Sequence, residues 1–358
     1  MSAILELPNA RKITGGYGHS LAISNSGVLY AWGLNEDYQV GNGSNSYVQN
    51  PVQIGTETNW IDIACGASHS LALNSLGDVY AWGRNVEQQC GIEGGGQIST
   101  PTKITFPEVV SISKISACGN YSLFSDTLLK KVYGCGLNSY YLLSSDNLDL
   151  ISTPTHMSDF DNATIISAGP ELCAAVIGNQ IKVRGVYDFN YAGVGNNYNP
   201  IKNTIASFVP ESSDNLGYLN LVIGNKFLLA LKKDRSIWGY TFGPAPSYLS
   251  GSPIPENSSI GYYGVRVAIS GSSFYPNNNI LAKINDSIKF VKIACGLEHV
   301  LLIDEDSKLY SWGGNEFNQL ARQTVENNDT NIVEITGYAG QWSNVGCGNY
   351  HSLTILNS

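Results

Sequence analysis

The apolar positions of this chain fall in short runs separated by turn residues. From Cys65 to Gly83, a largely apolar run (Ser70 to Leu73) is followed by turn chemistry at Asn74-Ser75-Leu76-Gly77-Asp78. Val79-Tyr80-Ala81-Trp82 then forms a second run, rich in β-branched and aromatic residues and closed by Gly83. This pattern predicts a β-hairpin. It recurs at Gly15–Gly33 and Cys295–Gly313, and its first half returns alone at Cys347–Leu356.

Aligning the glycine that opens each copy gives Gly16, Gly66, Gly119, Gly169, Gly224, Gly296 and Gly348, at intervals of 50, 53, 50, 55, 72 and 52 residues by subtraction. Each period has room for about four short strands with turns. A sheet that buries one face against the next copy, repeated seven times, closes into a ring. The expected fold is therefore all-β: a seven-bladed β-propeller of roughly four-stranded blades, forming a single domain over residues 1–358. The competing open solenoid would need polar end caps, and none is visible. The seventh unit stops at Leu356 without a Tyr-x-Trp-Gly strand, so the N-terminal segment, Ala3–Leu7, is expected to pair into the last blade; otherwise the native protein continues beyond Ser358, or the seventh sheet is small.

Within a period, the Trp-Gly is followed by an Asn-x-x-x-Gln-x-Gly segment, as in Asn35 to Gly41 and Asn85 to Gly91, with Ala321 closing the Asn315 copy. Its amides suit a structural role, satisfying buried loop backbone. A loop ending in proline (Pro51, Pro101, Pro154) then opens an outer strand, and an apolar strand such as Trp60 to Ala64 precedes the next copy. The middle is degenerate: Tyr133-Gly134-Cys135-Gly136, Lys182-Val183-Arg184-Gly185 and Trp238-Gly239-Tyr240-Thr241 stand where Tyr-x-Trp-Gly is expected. The long interval places an insertion near 244–279, rich in Pro, Gly, Ser and Asn, which reads as long surface loops.

Composition narrows the functional classes. A net charge of −9 argues against a nucleic-acid partner, which needs clustered Lys and Arg, and suits a basic protein patch instead. The N-terminus lacks a signal-peptide pattern, and no apolar run is long enough for a membrane helix. The expectation is a soluble, monomeric cytoplasmic protein. Seven cysteines, four of them (Cys65, Cys118, Cys295, Cys347) at one repeat position, read as small core residues of a reducing compartment. No catalytic motif, phosphate loop or metal-ligand spacing is present, and Gly94-Gly95-Gly96 reads as a blade loop. No catalytic residue, metal or cofactor is expected. Trp32, Trp82 and Trp312 are assigned to the core between blades.

The ordered set of glycine-x-x-His turn, Tyr-x-Trp-Gly strand and Asn-x-x-x-Gln-x-Gly loop at about fifty residues resembles the regulator of chromosome condensation repeat. The resemblance is strong in the first, second and sixth units, partial in the third and seventh, and weak in the fourth and fifth. It implies a seven-bladed propeller. The founding member is the guanine-nucleotide exchange factor of the small GTPase Ran. Relatives act on other GTPases, serve as interaction modules, or are delivered into host cells by intracellular bacteria. The implied function is protein binding, with a Ran- or Rab-type small GTPase as partner and nucleotide exchange without covalent catalysis. A bacterial protein delivered into the host cytosol fits the composition. The family's wedge hairpin has no match here, and the third, fourth and fifth units lack the repeat histidine.

Two residue sets follow. One is His19, His69, His299 and His351 with the preceding Glu298 and Tyr350, either lining one propeller face toward a partner or bonding backbone and shaping each blade. The other is the insertion with its aromatic residues Tyr248, Tyr262, Tyr263, Phe274 and Tyr275, gripping a partner in a scaffold or inhibitor role.

Overall fold

In the second unit, the Asn74 side chain accepts from the amides of Leu76 (3.0 Å) and Asp78 (2.9 Å), which forces the chain to reverse between two apolar runs. Asp304 does the same for Asp306 and Lys308, both at 2.9 Å, and the Ser24 hydroxyl accepts from Val28 at 3.1 Å. Local turn chemistry thus sets the central hairpin of each repeat before any distant contact is considered.

The computed structural model describes residues 9–144, 150–185, 206–210, 216–225, 227–241, 280–285, 287–323, 328–338 and 340–357. The first unit contains β1 (Ala10–Gly15), β2 (His19–Ser24), β3 (Leu29–Gly33) and β4 (Val48–Gln53). The second contains β5 (Trp60–Cys65), β6 (His69–Asn74), β7 (Val79–Arg84) and β8 (Gln97–Lys103), and the third β9 (Ile112–Cys118), β10 (Tyr121–Asp126), β11 (Val132–Leu137) and β12 (Leu150–His156). The fourth comprises β13 (Ile165–Ala168), β14 (Leu172–Ile177), β15 (Gln180–Gly185) and β16 (Ala206–Pro210). The fifth comprises β17 (Tyr218–Gly224), β18 (Phe227–Lys232), β19 (Ile237–Thr241) and β20 (Ile280–Asn285). The sixth contains β21 (Phe290–Cys295), β22 (His299–Asp304), β23 (Leu309–Gly314) and β24 (Asn328–Glu334). The seventh contains β25 (Gln341–Cys347) and β26 (Ser352–Asn357).

Within each unit the strands pair antiparallel in chain order, and a short parallel ladder between β16 and β20 joins the outer edges of the fourth and fifth. The expectation of seven four-stranded blades is corrected: there are six such blades, and among the described residues the seventh repeat supplies only β25 and β26. In that repeat β26 follows the glycine-x-x-His turn, and the sequence carries no Tyr-x-Trp-Gly segment after Leu356 to form a third strand. The expected pairing of Ala3–Leu7 lies outside the described residues.

The core sits between units. Leu21, Ile23 and Leu29 of the first pack against Trp60, Ile63 and Trp82 of the second, and comparable clusters join each successive pair. Ile355 of the seventh packs with Ile13, Ala22 and Trp32 of the first, so the apolar contacts run full circle. The innermost strands of all seven units surround a central channel of about 370 Å³. All seven cysteines are free and none is solvent-exposed.

Trp82 shows how the repeat locks to its neighbour. Its indole Nε1 donates to Gln39 O of the preceding unit at 2.9 Å, and the ring lies over Gly41. A Cβ on Gly41 would come within 2.5 Å of that nitrogen, and the residue has a φ of +83°. The sixth unit carries Ala321 at this position, at a φ of +54°; in the described seventh unit no tryptophan strand follows that would press on it. The conserved-looking loop amides also have their partners. Asn35, Asn85 and Asn315 Oδ1 accept from Val40, Cys90 and Leu320 N at 2.9, 3.0 and 3.0 Å. Asn138 repeats the bond to Leu143 at 2.8 Å in the third unit. Contrary to the expectation from sequence, the prolines do not open their outer strands. Pro51, Pro101 and Pro154 lie inside β4, β8 and β12, where the register shifts against β3, β7 and β11. A bulge on an edge strand tolerates a residue that cannot donate a hydrogen bond.

Candidate protein-binding face

The glycine-x-x-His turns join the first and second strands of each unit, and the Asn-Gln loops follow the third, so antiparallel pairing puts both on one face of the ring. Successive turns are tied by backbone bonds: Tyr17 N to Ala67 O (3.1 Å), Ala67 N to Gly119 O (2.8 Å), Asn225 N to Leu297 O (2.6 Å) and Leu297 N to Asn349 O (3.2 Å). Asn349 N to Gly16 O (2.9 Å) closes the seventh unit on the first. The fourth unit has Pro170 at the donor position and therefore no N–H to offer the fifth.

The repeat histidines form an inner belt. His19, His69 and His299 are fully buried, and His351 is half-buried. His351 Nε2 meets Ser20 Oγ at 3.2 Å, His19 meets Ser70 at 3.0 Å, and His69 meets Ser122 at 2.9 Å, each reaching into the next unit. The Ser70 and Ser122 hydroxyls donate onward to Gln39 O and Gln89 O, both at 2.7 Å. Those serines therefore accept from histidine, which fixes His19 and His69 as Nε2–H tautomers. The opening glycine is required because the ring folds back over it: a Cβ on Gly66 would lie 2.0 Å from His69 Cε1, and one on Gly348 equally close to His351 Cε1. Burial, with the neighbouring histidines, pulls the pKa of His19 down to about 3; burial alone does so for His69, against a weaker pull from Glu87. His299 is lowered to about 4 by burial and by His351. Its ring nitrogens have no hydrogen bond of ordinary geometry, though the His351 backbone lies near enough to favour its charge slightly.

The units without histidine use other means. The third turn is one residue shorter, and β-sheet register puts Tyr121 opposite Gly136, as His69 lies opposite Gly83. Its hydroxyl lies 2.8 Å from Gly169 O and accepts from Gly169 N at 2.9 Å, so it crosses to the fourth unit as a histidine would. Leu172 and Phe227 occupy the position in the fourth and fifth units, where the link is purely apolar. Sequence reasoning missed Tyr121 because the deletion shifts it one residue out of line with the glycine.

The imidazoles of His19, His69 and His299 are enclosed, so at these turns the exposed surface belongs to their neighbours. Glu298 and Tyr350 are partly exposed. Burial, and then the nearby Glu316, raise the Glu298 pKa against a stabilising Asn225 hydrogen bond. Among the described residues the face carries Glu36, Asp37, Glu87, Glu93, Glu171, Glu298 and Glu316, with Arg84 and Arg322 as its basic residues. Arg84 is tied to Glu87 at 2.9 Å and Arg322 to the Ser311 hydroxyl at 2.9 Å, so the face presents net negative charge. Tyr248, Tyr262, Tyr263, Phe274 and Tyr275 lie outside the described residues. Among those described, no group of three or more His, Cys, Asp or Glu is placed to hold a metal ion, and no helix is long and apolar enough to cross a membrane.

The regulator of chromosome condensation (RCC1) repeat matches this chain at residues 26–73, 77–125 and 306–355 in one form, and at 10–39, 60–89 and 290–319 in a second. Human WBSCR16 has a similar structure, with a TM-score of 0.77 and 19% identity over 99% of this chain and 89% of that one. Prp20p from Saccharomyces cerevisiae is similar at a TM-score of 0.76 and 21% identity, over 98% of this chain and 83% of that one. The X-linked retinitis pigmentosa GTPase regulator homolog of Caenorhabditis elegans is 35% identical over 68 residues, which is 18% of this chain and 5% of that relative.

Proposed function

The chain belongs to the regulator of chromosome condensation (RCC1) repeat family, and from that premise we propose that it is a protein-binding propeller whose glycine-x-x-His face engages a small GTPase. The observation that carries this reading is the face itself: a belt of linked turns, held by buried histidines, that presents more carboxylates than cations among the described residues. Such a surface is complementary to a basic protein patch and steers its approach. Prp20p, which shares the fold, has binding properties toward Gsp1p and histones, and this supports the choice of partner class.

Glu298 and Tyr350 are the proposed contacts, with His19, His69, His299 and His351 as positioning residues that hold the turns. If the propeller accelerates nucleotide exchange, it needs no covalent chemistry. Tighter binding of the nucleotide-free GTPase than of the loaded form suffices. Release of a fluorescent GDP analogue from a panel of Ran- and Rab-type GTPases, with pull-down alongside, tests both levels. Accelerated release from one member supports exchange, and binding without release supports a scaffold. No binding to any member overturns the GTPase reading.

A further inference from the structure

The repeat offers an internal control for which residues the ring requires. At the position of Phe317 the first two units carry Asp37 and Glu87, at that of Tyr350 they carry Gly18 and Ser68, and at that of Tyr17 the second and third carry Ala67 and Asn120. None of these positions needs an aromatic ring to build a blade. Yet where the sixth, seventh and first units meet, all three are aromatic, and Tyr17 and Phe317 are 54% and 61% exposed.

The rings form one cluster. Tyr17 and Tyr350 meet edge to face with centroids 5.9 Å apart, and Phe317 lies 5.0 Å from Tyr350. The support is rigid: Asn349 N bonds Gly16 O at 2.9 Å, and Phe317 N donates to Gln319 Oε1 at 2.9 Å. Glu298 sits on the turn bonded to that of Tyr350 through Leu297 N and Asn349 O, and Glu316 directly precedes Phe317. Neither carboxylate has an ion-pair partner among the described residues, and the two are close enough to repel.

We propose that Tyr17, Phe317 and Tyr350, flanked by Glu298 and Glu316, form a docking site for an arginine side chain presented by a basic segment of a protein partner. A guanidinium is the cation that fits both features, because its plane stacks on aromatic rings while its edge donates to carboxylates. A lysine ammonium gains the charge but not the plane. This inference rests on the reading that the face binds protein, and it adds the chemistry by which one corner of that face selects its ligand.

The test uses the full chain and two labelled nonapeptides, one alternating glycine with arginine and one alternating glycine with lysine, followed by fluorescence anisotropy. The arginine peptide should bind about tenfold more tightly than the lysine peptide. Tyr350→Ala should weaken it by about tenfold, and Glu298→Gln with Glu316→Gln should abolish most of its salt dependence. Equal affinity for the two peptides, undetectable binding of the arginine peptide at millimolar concentration, or unchanged binding by Tyr350→Ala would overturn the site. A GTPase that binds wild type and Tyr350→Ala alike would also overturn it while leaving the proposed partner class intact. Arginine-selective binding without any GTPase binding would keep the site and discard that partner class.

Discussion

Lowering the pH from 8 to 5 should destabilise this propeller through its buried histidines, and His299→Phe should remove a defined part of the loss. In the unfolded chain a histidine titrates near 6.5, whereas His299 in the folded protein titrates at about 4. Between those values the unfolded state holds a proton that the native state lacks, so stability is fully present above 6.5 and falls as the pH drops toward 4. At pH 5 the unfolded side chain is almost fully protonated and the native one almost fully neutral. The difference is about 2 kcal/mol for this one residue, and at pH 8 it vanishes. His19 and His69, at about 3, should each add a similar amount, because pH 5 lies well above both native values. His299 is the cleanest to replace. Phe227 already fills the equivalent position one unit earlier, and the His299 ring forms no well-made hydrogen bond whose loss would confuse the result. Urea unfolding followed by tryptophan fluorescence at pH 8 and pH 5 gives the double difference. The expected outcome is that wild type loses about 2 kcal/mol more than His299→Phe on acidification. Equal losses in the two proteins would refute the reasoning, since the His299 imidazole would then titrate alike in both states.

Other substitutions probe the joints between units. Gly66→Ala places a Cβ 2.0 Å from His69 Cε1 and should cost about 3 kcal/mol or more in thermal or urea unfolding. Gly119→Ala meets nothing within 4 Å and should cost only about 1 kcal/mol, from its positive φ. Tyr121→Phe removes the hydroxyl that bonds Gly169 and should cost about 1–2 kcal/mol, with faster amide exchange concentrated at the junction of the third and fourth units. Gly41→Ala should perturb the Trp82 indole and shift its fluorescence, while Ala321→Gly should leave the spectrum unchanged, because Ala321 is exposed and no Tyr-x-Trp-Gly strand follows β26 in the described seventh unit.

Much of the blade was legible in the chain because its determinants are local. Asn74 and its turn, the alternation through Val79 to Trp82, and the Asn85-to-Gly91 loop act within a few residues of themselves, so the pattern and the structure agree. The repeat spacing likewise pointed to a ring, because every hairpin carried an apolar face that needed a neighbour. What the pattern misplaced were features that depend on two units at once. Pro51 looked like the start of a strand but occupies a bulge that β3 accommodates. For the histidines the pattern left lining a face and shaping a blade both open; the hydroxyls that hold His19 and His69 sit one repeat away, and burial follows from that pairing.

The candidate site divides along the same line. That the glycine-x-x-His turns share a face follows from antiparallel strand order and could be inferred in one dimension. The meeting of Tyr17 with Tyr350 could not, because ring closure brings together residues 333 positions apart by subtraction. The Asn349–Gly16 bond that creates this corner joins the two ends of the described chain. Short-range hydrogen bonding and side-chain periodicity are written into each fifty-residue repeat, whereas the closing geometry is a property of how all the repeats stack, and it alone sets which exposed side chains become neighbours.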